Sequence, residues 1–370
     1  MRERRQIVQL WRQGGTTVLV TLVRAEGSSY RQPGARLLLG TDGTYAGTIS
    51  GGCLETEVIR KAGWMVREGA VVERYSTMFD HTAEVPFGLG CGGVVDLLME
   101  PVNTKECQAL MTSMEGTLRG EETTILTWLP REGRDLARAV LNTNGDFTFA
   151  SEELAEWELV AARRGALHQD KIEDEEIFFE RMAAPQRLFV LGAGDDAKPL
   201  VSMAALLGWR VVVADGRSQL ARAERFPEAE RVIVLDDTDG LEVRREDAVV
   251  LMTHSYEQDR DLLAAVLPVP PRYLGLLGAR HRSSLLVSEV AVMTKTSVAE
   301  CCERLYAPVG LDLGGDGPEA IALAVVAEAQ ACCMGKLGSS RRLLPEDVAR
   351  HLQEGGASRY LQTECALDEA

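Results

Sequence analysis

Two thiols in this chain are wrapped in glycine. Cys53 sits in Ser50-Gly51-Gly52-Cys53-Leu54-Glu55, just ahead of Leu54, Val58, Ala62 and Met65, which share one face of an expected helix. A thiol at a helix N-terminus meets the positive end of the helix dipole and unpaired N–H groups, and both favour the thiolate. Cys91 repeats the theme in Leu89-Gly90-Cys91-Gly92-Gly93, ahead of a strand. The glycines allow close approach by a second body, whereas a buried inert thiol is the competing reading; both stay open. A third irregular segment, Gly27-Ser28-Ser29-Tyr30-Arg31-Gln32-Pro33-Gly34, offers hydroxyls, free N–H groups and one guanidinium.

The second half carries a different chemistry. Gly192-Ala193-Gly194-Asp195-Asp196-Ala197 joins the apolar run Arg187 to Leu191 to a helical stretch through Leu207, and Asp215 ends the next run 23 residues after Gly192. A G-x-G-x-x-A turn between strand and helix is the mark of a Rossmann fold, with an acid placed to hold a ribose. Asp195 and Asp196, however, put negative charge where a pyrophosphate would lie, and a carboxylate there is able to cap the helix itself. Whether these glycines serve a nucleotide or only tight packing stays open. Arg217, Thr253-His254 and Gly278-Ala279-Arg280-His281-Arg282 fall just past the ends of the same set of strands. Two arginines opening a helix suit an anion, although a solvated basic turn looks the same in sequence. Convergence of Arg217, His254, Arg280 and Arg282 points to a phosphate-bearing ligand. With five histidines and neither H-x-x-x-H nor H-E-x-x-H, a zinc hydrolase is not expected.

The elements that must position these residues divide the chain. A length of 370 residues gives two to three domains. Residues 1–166 read as an α/β unit, in which 103–166 hold strand candidates such as Thr123 to Leu129 that would complete the first sheet. Residues 167–185, with the acidic run Glu173 to Glu176, read as a linker. Over 186–340, runs at Arg187 to Leu191, Arg210 to Ala214, Arg231 to Leu235, Ala248 to Met252 and Arg272 to Leu276 alternate with helices, the pattern of a doubly wound parallel sheet. Residues 341–370 read as a polar tail. A net charge of −16 repels phosphate backbones, so nucleic acid is not an expected partner. No apolar stretch reaches the roughly 18 to 20 residues of a membrane span. A charged start without a signal core, and eight unevenly spaced cysteines, lead us to expect a reducing cytoplasm.

Taken together, these segments resemble one family. Gly27 to Ala35, Gly47-Thr-Ile-Ser-Gly-Gly-Cys-Leu-Glu55 and Gly88 to Gly93 look like the N-terminal domain of XdhC/CoxI proteins, the xanthine dehydrogenase accessory factors. Gly192 to Ala197, Thr253-His254, Tyr273 to Arg280 and Ala307 to Gly314 look like its C-terminal Rossmann domain, with Pro318-Glu319 and Glu328 in the closing helix. The resemblance runs from about Gly14 to Gly335, and departs at Asp195, where many members carry His. It implies an α/β fold: an N-terminal α/β XdhC/CoxI domain followed by a Rossmann-like doubly wound parallel sheet. It also implies a cytoplasmic chaperone for molybdenum cofactor, without turnover of its own. Such a protein holds the cofactor while a cysteine desulfurase supports its sulfuration, then delivers it to an apo molybdenum hydroxylase of the xanthine dehydrogenase type; a homodimer is expected. The expected cofactor-binding residues are Ser28, Arg31, Gly51, Gly52, Cys53, Glu55 and Cys91 in the first half. In the second they are Gly192, Gly194, Asp195, Asp215, Arg217, His254, Gly278, Arg280 and Arg282. Cys53 and Cys91 are the candidate reactive thiols, since a soft metal centre suits a nearby thiolate. The alternative is an NAD(P)-dependent oxidoreductase built on the glycine loop and Asp215, opposed by Asp195 and by the lack of a clear catalytic acid. A purely structural adaptor would leave the glycine-wrapped thiols unexplained.

Overall fold

The structure, a computed structural model, describes residues 1–27, 29–52, 54–76, 93–168, 176–235 and 241–338. Its first sheet is antiparallel and follows helix α1 (Arg2–Gln13). The strands are β1 (Thr16–Glu26), β2 (Arg36–Gly40), β3 (Tyr45–Gly47), β4 (Val71–Ser76) and β5 (Val94–Pro101), in the order β3-β2-β1-β5-β4. Helix α2 (Glu55–Met65) lies between β3 and β4 in the chain. Alternation along β1 sends Val18, Val20 and Leu22 into one core with Val58 and Ala62 of α2. Leu19 points the other way, into a core shared with Ile7 and Val8 of α1. The turn after β2 follows its sequence: Asp42 accepts from Thr44 N at 3.0 Å, and Gly43 takes φ 81°.

Residues 103–166 do not complete that sheet. Helix α3 (Lys105–Arg119) leads into β6 (Thr123–Trp128), β7 (Ala137–Asn142), β8 (Phe147–Ala150), helix α4 (Glu156–His168) and β9 (Ile177–Met182). The four strands form a separate antiparallel sheet, ordered β8-β7-β6-β9. β9 lies within the segment expected to be a linker. Its half-buried Ile177-Phe-Phe-Glu-Arg-Met182 pairs residue by residue with β6, and the acidic run before it masked that pattern. Ile125, Val140 and Met182 of this sheet share a core with α1 and α3.

The third sheet is the expected parallel one. β10 (Arg187–Leu191), β11 (Arg210–Asp215), β12 (Arg231–Val234), β13 (Ala248–Leu251) and β14 (Tyr273–Leu276) take the order β12-β11-β10-β13-β14. Helices α5 (Ala197–Leu206) and α9 (Pro318–Cys333) supply the core on one face, α6 (Tyr256–Val266), α7 (Arg280–Thr294) and α8 (Val298–Arg304) the core on the other. Strands buried on both faces read as unbroken apolar runs, which is why these segments were legible. Among the described residues, no helix is long and apolar enough to cross a membrane.

Candidate functional site

The strand order reverses at β10, between β11 and β13, and loops leaving the C-terminal ends of these strands carry the expected residues to one rim. Gly192 is required by packing. It has φ 131°, and a side chain there would stand 2.3 Å from the Met252 carbonyl oxygen. Asp195 and Asp196 do not cap α5, contrary to expectation. Asp196 is the N-cap residue but makes no side-chain capping bond. Its Oδ2 instead lies 2.8 Å from His254 Nε2. Asp195 pairs with Lys198 at 2.7 Å and Arg225 at 2.9 Å, and these two cations hold its carboxyl below the usual range. A side chain on Gly194 would strike Asp196 Oδ1 at 2.4 Å and come within 3.9 Å of the His254 ring. Asp196 and His254 thus pair beside the loop, with the imidazole still more than half exposed.

Asp215 is likewise not free for a ribose. It is 1% exposed and accepts from Ala193 N at 2.7 Å, and from Arg217 through N at 2.8 Å, Nε at 3.0 Å and Nη2 at 2.8 Å. Burial alone would raise its carboxyl, but the Arg217 and Ala193 donors outweigh it and hold the group below its ordinary value. Arg217 is thereby committed to Asp215, with a further bond to Thr253 O at 3.2 Å.

Arg282, expected to face a phosphate, instead pairs with Asp259 at 2.6 Å. Asp259 is fully buried and also accepts from Thr253 Oγ1 at 2.7 Å. Sequence reading missed this hub. Its signal was present: Asp259 falls in register with Leu262, Leu263 and Val266 on the buried face of α6, where an acid needs a cationic partner. His254 follows Thr253 with φ 63°, a conformation unusual for a side-chain-bearing residue. The expected cationic convergence is therefore mostly a set of closed pairs. Arg280 is the exception: it is exposed at the first position of α7 and has no ion pair among the described residues. The helix has no side-chain cap, and the buried Ser283 hydroxyl in its first turns is unpartnered. A side chain built on Gly278, whose φ is 151°, would lie 3.8 Å from that hydroxyl. The enclosed cavity at this rim, lined by Asp196, Met252, Leu277 and Ile321, is about 20 Å³, room for a single water.

In the first half, Ser28, Cys53 and Cys91 lie outside the described residues. Their described neighbours form a tightly tied pair of loops. Buried Glu55 accepts from Ile49 N at 3.1 Å, Ser50 N at 2.8 Å and Gly52 N at 3.1 Å, and also from the Ser50 hydroxyl. Burial pushes its carboxyl up, yet these donors bring it below the ordinary value. Glu55 thus ties together the turn from Ile49 to Gly52. Arg31 pairs with Glu3 of α1, whose other oxygen accepts from Thr48 N at 2.6 Å. The guanidinium lines an open groove of about 690 Å³ with Arg2, Gln6, Tyr45 and Thr48.

Comparison with known proteins agrees with this architecture. Residues 10–76 match the XdhC and CoxI family, and residues 188–329 match the XdhC Rossmann domain. A probable xanthine dehydrogenase subunit from Bacillus subtilis (strain 168) is 28% identical over 316 residues, 84% of this chain and 91% of its own. The molybdenum cofactor insertion chaperone PaoD of Escherichia coli (strain K12) is 26% identical over 326 residues, 85% of this chain and 83% of its own. A solved structure described as a xanthine dehydrogenase from Bacillus halodurans superposes with a TM-score of 0.77 at 28% identity, covering 94% of this chain and 99% of that one. With both halves matched in order on a fold of the same architecture, the chain belongs to the XdhC/CoxI family.

Proposed function

We propose that the protein is an accessory factor that binds molybdenum cofactor, protects it, supports its sulfuration by a cysteine desulfurase and hands it to an apo molybdenum hydroxylase of the xanthine dehydrogenase type. It acts in the cytoplasm as a homodimer. The observation that carries this reading is the self-closed glycine loop. Asp196 pairs with His254 and Asp215 with Arg217, so the groups that would answer a dinucleotide's pyrophosphate and ribose are engaged with one another, which argues against the NAD(P)-dependent oxidoreductase.

The residues present fit a metal that arrives already bound to its own pterin. Among the described residues, no group of three or more His, Cys, Asp or Glu could hold a bare ion. An anionic substituent does have a fitting place. Arg280 and the uncapped N–H groups of α7 would hold the cofactor's phosphate, beside Gly278. Asp259 keeps Arg282 paired beside that turn. Cys53, one residue before the N-cap residue of α2, would present a thiolate to the soft metal in a separate binding step, since the first half meets the parallel sheet at the other end of its strands, through Arg5 to Gly208 and Arg119 to Arg210. When bound, the cofactor supplies the molybdenum centre that the recipient enzyme uses; this chain supplies the anion site and the thiolate. The test is co-expression with cofactor biosynthesis, followed by metal analysis and absorption spectra. The purified chain should carry molybdenum and its Cys53→Ala variant markedly less, while calorimetry detects no NAD(H) or NADP(H) binding. A molybdenum-free chain that binds either dinucleotide at micromolar affinity would overturn the reading.

A further inference from the structure

We propose that Tyr30 is a stacking platform for a planar nitrogen heterocycle, the bicyclic ring of a pterin, presented by the Gly51 turn. This rests on the cofactor-carrier reading and assigns a residue to it that the motifs alone did not single out.

Tyr30 is 74% exposed, yet its ring is not free-standing. A side-chain carbon placed on Gly51 would lie 3.8 Å from Cδ1, 3.9 Å from Cγ and 4.0 Å from Cε1. Three adjacent ring atoms at nearly equal range place that point over the ring's face. Beside the edge, in the ring plane, the flanking atoms would stand clearly farther away than the nearest one. One face of Tyr30 therefore looks toward Gly51, whose missing side chain leaves there a gap that a methyl group would fill at ordinary contact distance, and the ring as a whole stays open to solvent. A γ-carbon at residue 51 would push the ring away.

Both supports of the ring are fixed in advance. On the Tyr30 side, the Ser29 hydroxyl donates to Arg31 O at 2.8 Å, and Arg31 is tied through Glu3 to Thr48. On the Gly51 side, Glu55 collects the N–H groups of residues 49, 50 and 52. The aromatic face is thus held without a ligand, which reduces the ordering cost of binding one. An exposed aromatic ring on a tied loop favours flat, polarizable partners, and stacking on such a ring is the usual way proteins hold a heterocyclic base. Arg31, next in the chain, lines the adjoining groove and offers its remaining N–H groups to carbonyl or anionic substituents.

The experiment titrates full-length protein into 6-hydroxymethylpterin and follows pterin fluorescence, for the wild type, Tyr30→Ala, Tyr30→Phe and Gly51→Val. Tyr30→Ala should weaken binding roughly five- to hundred-fold, the range seen when one stacking ring is removed. Tyr30→Phe should stay within about twofold, because it keeps the face, and Gly51→Val should resemble Tyr30→Ala. Thermal melts of Tyr30→Ala should match the wild type, since an exposed ring contributes little to folding. Equal affinity of the wild type and Tyr30→Ala, equal losses in the Phe and Ala variants, or no pterin binding by the wild type would each overturn the platform. If any of these occurs while the wild type still retains molybdenum on co-expression, this inference fails and the carrier reading stands. If molybdenum is not retained either, both fail.

Discussion

Arg280 and Arg282 stand two residues apart at the start of one helix, and their surroundings give them opposite tasks. Arg282 neutralises Asp259, which has no exposed surface, whereas Arg280 projects into solvent without an ion pair among the described residues. Removing one partner of a buried pair leaves an uncompensated charge, so Arg282→Ala should cost about 2 to 4 kcal/mol, reduced from a fully buried pair because the guanidinium is partly exposed. Urea denaturation would show this as a lower midpoint at unchanged slope. Arg280→Ala should leave that midpoint alone, but weaken binding of a phosphorylated pterin roughly ten- to hundred-fold through loss of one charge-assisted contact. The same ligand without its phosphate should bind wild type and Arg280→Ala alike. A mutant that loses equal affinity for both ligands would mean the arginine does not read phosphate. Arg280→Lys should rescue only partly, for want of the planar fork.

Elements differ in how openly the chain declares them. The parallel strands β10, β11, β13 and β14 are buried on both faces, so Leu188 to Leu191 or Val211 to Ala214 read as apolar runs that little else could explain. β9 is a half-buried strand carrying Glu180 and Arg181, and an acidic stretch precedes it; only its pairing with β6 makes it a strand. The site behaves in the same way. Sequence order and loop chemistry placed Gly192, Asp215, His254 and Arg282 on one rim. Which acid takes which base depended on side chains from different elements meeting, as with Asp259 of α6 and Arg282 of α7, and no local spacing encodes that choice. Gly192 tests how much of the glycine loop is packing. Its positive φ and the 2.3 Å approach to the Met252 carbonyl leave no room for a methyl group. Gly192→Ala should therefore destabilise the fold by about 2 to 4 kcal/mol with no ligand present, from strain plus overpacking. An unchanged thermal midpoint would show that the loop yields, and that its glycines answer to a ligand instead.

At the scale of the molecule, the first two sheets are joined by charge as well as by apolar contact. Arg138 of β7 meets Glu100 of β5 through two bonds of 3.0 Å, with both side chains 1% exposed. The guanidinium also donates to Thr127 Oγ1 at 3.0 Å and to the Glu106 carbonyl at 2.7 Å, so it links both sheets and the start of α3. A second ion pair, Arg36 of β2 with Glu180 of β9, ties the same two sheets at another point. Desolvating two charges consumes much of their attraction, so such a joint fixes relative placement more than it adds stability. The consequence is an asymmetry between single and double substitution. Glu100→Ala or Arg138→Ala should each cost about 3 to 5 kcal/mol, because a buried charge or a set of donors is left unmatched. Glu100→Leu combined with Arg138→Met should recover most of that loss, since both charges leave together and the volume is roughly kept. If the pair serves to seat β9 and α3 against the first sheet, the double variant should be stable and still exchange the amide protons of β9 faster than the wild type. Hydrogen exchange on the double variant decides the matter. Wild-type protection at Ile177 to Met182 would reduce the pair to an ordinary, replaceable contact, whereas faster exchange there at restored global stability would identify it as the element that sets how the two sheets sit together.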